Sequence, residues 1–209
     1  MIREFCAENH ERLARALAAG AQRIELCDNL AVGGTTPSYG VIAHVCQKAH
    51  EQGARVMTMI RPRGGSFCYT AEELEMMVTD CQVALSLGSD GLVFGALTAD
   101  GWLDEAAMER LIAAAGDCET VCHMAFDQIP QERQKEALDW LASKGVTRVL
   151  TRGGKQGAAL DHLDWLSHLL THAAGRIELV VGGGVTKDNL ETLLDHLPLD
   201  QVHGTRLFW

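Results

Sequence analysis

A single parallel (β/α)8 barrel of the TIM type is the fold class this sequence predicts, and three observations predict it. Short apolar strand-like segments alternate with helical patterns of ten or more residues from end to end, the signature of a parallel α/β fold. The strand-like segments number eight. At 209 residues and 47% apolar composition, the chain can bury one sizeable core but is short for eight full strand-helix units. A one-domain barrel over 1–209 that lacks its last outer helix accounts for every element.

Residues 2–6 alternate as the first strand, and residues 10–19, rich in Ala, Leu and Arg at helical spacing, predict a helix capped by Gly20. A second strand at 23–27 precedes a helix over 38–52 that Gly53 stops. The third strand, 55–60, leads into Arg61-Pro62-Arg63-Gly64-Gly65. Thr70 stands where an N-cap belongs, ahead of a helix running to Leu87 and a fourth strand at 91–94. The second half continues with helix 104–115, strand 120–124, helix 131–144, strand 148–151, helix 158–172, strand 177–181, helix 187–196 and strand 201–203. Arg176-Ile177-Glu178-Leu179 copies Arg23-Ile24-Glu25-Leu26, an echo of the shared demand for apolar residues facing helices.

A net charge of -10 and a pI near 5.3, with no dense Lys or Arg block, exclude a phosphate-backbone footprint and hence nucleic acid as a partner. Met1-Ile2-Arg3-Glu4 is charged where a signal peptide is apolar, and no apolar run has transmembrane length, so no membrane partner and a cytoplasmic location are expected. Seven cysteines at 6, 27, 46, 68, 81, 118 and 122 lack the close pairing of a zinc site. In a reducing compartment they are free thiols.

Strand alternation places Glu4 with Cys6 on one face of the first strand and Glu25 with Cys27 on one face of the second, while Phe5, Ile24 and Leu26 go under the helices. An inward carboxylate is costly unless paired, so Arg61 is expected to pair with Glu4 or Glu25. An inward Arg61 turns Met59 and Met57 inward too. Cysteine and methionine are common core filler, but two thiols and a thioether are also soft ligands suited to Cu(I), which makes Cys6, Cys27 and Met59 a candidate metal set.

Barrels of this kind bind ligands at the C-terminal strand ends. Arg61 and Arg63 sit there on a proline-stiffened turn and can grip an anion with two parallel bonds. Gly182, Gly183 and Gly184 after the seventh strand, with Thr205 and Arg206 after the eighth, occupy the usual phosphate position of the barrel. His123 is a candidate proton carrier or metal ligand, and Asp127 either fixes its tautomer or caps the next helix. Two functions follow. One is a Cu(I)-binding protein using Cys6 and Cys27 with Met59. The other is an enzyme for a small anionic, phosphorylated metabolite, with Glu25 or His123 as acid/base, Asp127 in support and Arg61 on the anion.

Ile24-Glu25-Leu26-Cys27, Gly33-Gly34-Thr35-Thr36-Pro37-Ser38-Tyr39-Gly40, Met59-Ile60-Arg61-Pro62-Arg63-Gly64-Gly65, Gly91-Leu92-Val93-Phe94-Gly95, His123 with Ala125-Phe126-Asp127, and Gly182-Gly183-Gly184 together resemble the CutC family over essentially the whole chain. That resemblance implies a TIM-type barrel, a cytoplasmic homodimer and an association with copper homeostasis in which Cys6 and Cys27 match the family's candidate ligands. The chain departs from longer members at Cys122 and Met124, which stand for a Phe and an Arg, and at Ser66, which stands for an Asp.

Overall fold

The computed structural model describes all 209 residues. Eight strands, β1 (Ile2–Glu8), β2 (Arg23–Cys27), β3 (Arg55–Met59), β4 (Gly91–Phe94), β5 (Glu119–Cys122), β6 (Arg148–Thr151), β7 (Glu178–Val181) and β8 (Gln201–Gly204), close into one parallel barrel in sequence order. Seven helices cover it: α1 (Leu13–Ala18), α2 (Tyr39–Glu51), α3 (Ala71–Ser86), α4 (Glu105–Ala115), α5 (Gln134–Ser143), α6 (Leu163–Ala173) and α7 (Leu190–His196). No helix follows β8 in these residues. Phe208 and Trp209 instead pack edge-on against Phe5, on the outer face of β1, with Arg3 over the Phe208 ring and Arg15 over the Trp209 ring.

Alternation sorts the apolar residues into two bodies. The larger lies between barrel and helices and includes Phe5, Ile24, Leu26, Val56, Leu92 and Phe94. The smaller fills the barrel and consists of Cys6, Cys27, Met57, Met59, Val93, Val121, Leu150 and Val180. Cys46, Cys81 and Cys122 belong to the outer body, so only two of the seven free thiols face inward from strands.

Helix boundaries differ from the sequence expectation where local backbone intervenes. The first helix begins at Leu13 rather than residue 10, because Asn9 and Arg12 both adopt φ of 58°, a left-handed conformation that a helix cannot include. The last begins at Leu190 rather than 187, after Asn189 has turned back to accept from Thr186 N and donate to Gly184 O. The fifth strand stops at Cys122 because the next residues tighten into a turn, with Ala125 N donating to His123 Nδ1.

The N-terminal floor of the barrel is a continuous chain of charged and amide side chains. Arg55 pairs with Glu119, which takes Arg148 Nη2 at 2.6 Å. Arg148 Nε reaches Glu178 at 3.2 Å, Gln201 Nε2 donates to Glu178 at 2.9 Å, and Arg23 Nη2 donates to Gln201 Oε1 at 2.7 Å. Arg23 then pairs with Glu4. Register makes this possible, since Glu4 lies opposite Arg23 across β1 and β2 and opposite His203 across β1 and β8.

One floor position has no room for a side chain. A Cβ at Gly91 would lie 1.8 Å from Met57 Cε and 2.6 Å from the Glu119 carbonyl oxygen. Met57 can swing away; the β5 backbone cannot. Gly91→Ala is therefore expected to lower stability in urea melts by about 1 to 3 kcal/mol, and a change under about half a kcal/mol would show that β4 and β5 separate freely.

Candidate functional site

Four inward side chains meet above the floor. Cys6 on β1 lies opposite Glu25 on β2, and Cys27 lies opposite Glu8. The two thiols are thus offset by two residues rather than directly paired, yet both converge on one oxygen: Glu25 Oε1 accepts from Cys6 Sγ at 3.7 Å and from Cys27 Sγ at 3.6 Å. His203 on β8 completes the group, with Nδ1 2.8 Å from Glu4 Oε1 and Nε2 3.8 Å from Glu25 Oε1. Ligand atoms of Cys6, Glu25 and Cys27 all lie within 4.8 Å of one another, as do those of Glu4, Glu25 and His203.

Burial sets the charges of this group. It pushes Glu25 up to about 8 against the attraction of His203. It also acts to raise Glu4, but the hydrogen bond with His203 and the charge of Arg23 outweigh it and hold Glu4 at about 2. His203 is held well above the usual imidazole range: burial opposes its charge, and its acidic neighbours Glu25, Cys6 and Glu4 overcome that opposition. The hydrogen bond with Cys27 brings Cys6 down to about 5 against burial, and the same bond, with burial, drives Cys27 well above the thiol range.

This cluster forms one wall of a cavity of about 140 Å³ in the barrel mouth, whose lining includes Cys6, Glu25, Met59, Phe67, His123 and His203. A roomier surface groove between α1 and α2, about 400 Å³, lies outside the barrel and away from these convergent groups. On the wall shared by β5, His123 is buried with its ring 4.9 Å from that of Phe67. Ala125 N donates to Nδ1 at 3.2 Å, so the proton of the neutral ring sits on Nε2, a buried atom with no partner. Burial and the nearby Arg61 charge depress His123 to about 3.

The family model described as the CutC family matches residues 1–207. The chain belongs to the CutC family. A CutC protein of Enterococcus faecalis is 51% identical over 208 residues, covering 99% of this chain and 100% of its own length. The human copper homeostasis protein cutC homolog is 40% identical over 202 residues, 97% of this chain and 72% of its own. A crystal structure of CutC from Streptococcus agalactiae superposes with a TM-score of 0.96 at 46% identity over 99% of both chains. Deoxyribose phosphate aldolase from Aeropyrum pernix, at 12% identity and a TM-score of 0.67 over 98% of this chain and 84% of its own, shares the barrel fold alone.

In this CutC chain the barrel brings Cys6, Glu25, Cys27 and Met59 together. Met59 Cε and Cys27 Sγ lie against Gly34, 3.6 and 3.2 Å from where a Cβ there would stand. The expected ion pair between Arg61 and Glu4 or Glu25 does not form. Arg61 follows β3 by two residues, and Glu25 is in register with Met57, which puts Arg61 four residues, roughly 13 Å, above Glu25. Its Nη atoms donate to the carbonyls of Val32, Gly34 and Gly65 at 2.9 Å, and its guanidinium lies over Phe67. Arg63 turns outward and gives its fork to Glu73 and three backbone carbonyls.

Asp127 neither orients His123 nor caps a helix. It accepts from Thr151 Oγ1 and from Arg152 N at 3.0 Å, tying the end of β5 to that of β6, and burial raises it to about 6 against those bonds. Gly182, Gly183 and Gly184 line the end of β7 beside β6 and β8: a Cβ at Gly183 would stand 2.7 Å from Arg152 Cβ, and one at Gly182 would stand 2.9 Å from His203 Cδ2. Thr205 and Arg206 are exposed at the rim, with Arg206 O accepting from Lys187 N.

Arg23 and His203 are the participants that the sequence reading missed. Both carried a signal: Arg23 precedes Glu25 by two residues on the same face, and His203 shares a face with Gln201 on the strand that must close against β1.

Proposed function

We propose that this protein binds Cu(I) as cargo in the barrel mouth through Cys6 and Cys27, as part of copper homeostasis. The observation that carries the reading is the shared position of the two thiols, whose sulfur atoms lie with Glu25 inside one 4.8 Å group in a buried setting. Thiolate and thioether donors suit Cu(I), and the donor chemistry fits: two sulfurs converge, Met59 sits beside Cys27, and His203 supplies positive charge next to them. The names of the mammalian relatives point the same way. No helix is long and apolar enough to cross a membrane, and seven free thiols suit the reducing cytoplasm.

Competition for Cu(I) against a chromogenic chelator tests this. The parent and a Cys46→Ser/Cys81→Ser control are expected to hold one tight equivalent. The Cys6→Ser/Cys27→Ser variant should bind at least about 100-fold more weakly, beyond what loss of an outer-shell partner costs. Retention of the tight equivalent in that variant, or its loss in the control, would place the copper elsewhere.

The alternative, a barrel enzyme for a small anionic or phosphorylated metabolite, finds support in one observation, the presence of the buried His123 in the cavity lining. It is weakened by Arg61 and Arg63, whose forks are already held by groups of the protein.

A further inference from the structure

We infer that Cys6, Cys27, Glu25 and His203 form a four-coordinate site for a divalent cation of the zinc class. Such a site shares the thiol pair with the copper reading but depends on Glu25 and His203, which a Cu(I) ion held by two thiolates leaves unused.

Spacing is the first support. A tetrahedral zinc ion with bonds of about 2.3 Å to sulfur and about 2.0 Å to oxygen or nitrogen sets sulfur about 3.5 Å from oxygen and nitrogen about 3.3 Å from oxygen. Glu25 Oε1 stands 3.7 Å from Cys6 Sγ and 3.6 Å from Cys27 Sγ. His203 Nε2 stands 3.8 Å from the same oxygen. The three ligands on β1 and β2 thus already have the edges of the tetrahedron to within about 0.2 Å, and the imidazole has about half an ångström to travel.

The second support is the aim of the imidazole. Glu4 holds His203 Nδ1 at 2.8 Å and is itself held by Arg23. A carboxylate behind one ring nitrogen is the arrangement that orients the other toward a metal. Here it turns Nε2 toward Glu25, and His203 is also a hydrogen-bonding neighbour of Cys6. Cys6, Glu25 and His203 all line the mouth cavity. An ion in that cavity therefore meets three of the four ligands at once, and Cys27 completes the set beside Glu25.

The third is charge. Two thiolates and the Glu25 carboxylate carry three negative charges among buried residues. A divalent ion leaves one uncompensated and a monovalent ion leaves two, where each is costly. Zinc accepts thiolate, imidazole and carboxylate ligands alike, whereas magnesium and calcium take oxygen ligands. Its entry displaces the protons of the thiols and the imidazole.

Cobalt(II), an optical stand-in for zinc, tests the site in reduced, chelator-stripped parent protein. One equivalent is expected to bind with the intense visible bands of a tetrahedral ion and the near-ultraviolet charge-transfer band of two thiolates, and one equivalent of Zn(II) should bleach both. Cys68→Ser/Cys118→Ser, which removes the two part-buried thiols, should keep this spectrum. Glu25→Gln and His203→Phe should each weaken Zn(II) at least about tenfold more than they weaken Cu(I), a ratio that general loosening of the barrel does not move. No uptake, an octahedral spectrum without the thiolate band, loss of the spectrum in the double-serine control, or equal weakening of both metals overturns the proposal. The parent spectrum is decisive even where a variant folds poorly. A parent that gives this spectrum yet holds no tight Cu(I) refutes the copper reading and leaves the divalent site standing.

Discussion

Arg23→Met is expected to destabilise the protein by about 3 to 5 kcal/mol in urea melts at neutral pH. Arg23 and Glu4 are each 4% exposed at the side chain, and Arg23 is the link between Glu4 and Gln201. Methionine fills most of the volume but removes the charge, leaving Glu4 with His203 alone and the Gln201 carbonyl without its donor. The cost is that of a buried carboxylate stripped of one of its two cationic partners rather than the net worth of the pair. Arg176→Met provides the contrast, since Arg176 pairs with Asp139 where both are nearly half exposed and such a pair contributes only about 0 to 1 kcal/mol. If the two variants lose the same stability, the floor is hydrated and the argument from burial fails.

The second large effect is in acid. His123 is depressed from 6.5 to about 3 by burial and Arg61, so the unfolded chain takes up a proton that the folded chain refuses. Its contribution is present above pH 6.5 and is lost as the pH falls from 6.5 through about 3. The total is on the order of 5 kcal/mol. His123→Phe, which keeps an aromatic ring on Phe67, should lack this component, and the difference between parent and variant melts isolates it. Glu4, held at about 2, loses stability in the same direction between 4.5 and about 2. Asp127, raised to about 6, acts oppositely, losing its contribution as pH rises from 3.8 through about 6. Both remain in the variant and cancel. A parent-minus-variant difference that is flat across this range would mean that His123 is protonated or solvated in the folded protein.

The fold was legible because its signal is periodic: alternation on each strand identifies an inward face without knowledge of any neighbour. Glu4, Cys6, Glu25 and Cys27 could be placed inside the barrel on that ground alone. Partnering was not legible, because it depends on height within the barrel. Arg61 and Arg23 are both arginines on inward faces, but the stagger of β1, β2 and β3 puts Arg23 level with Glu4 and Arg61 far above Glu25. The same stagger offsets Cys6 from Cys27, which spacing within single strands cannot reveal. His123 was legible as a candidate, whereas its tautomer depends on an amide two residues away in a turn that the expected strand 120–124 obscured.

The polar chain across the barrel floor bears on how the protein is made. Translation delivers β1 and β2 first, so Glu4 and Arg23 can meet early, while Gln201 and His203 emerge last from a sequence distance of 178 and 199 residues. Until then the chain exposes the edge of β1, and Arg23 and Glu4 lack their Gln201 and His203 partners. Until β8 pairs with β1, the sheet keeps an open edge of the kind that invites edge-to-edge association.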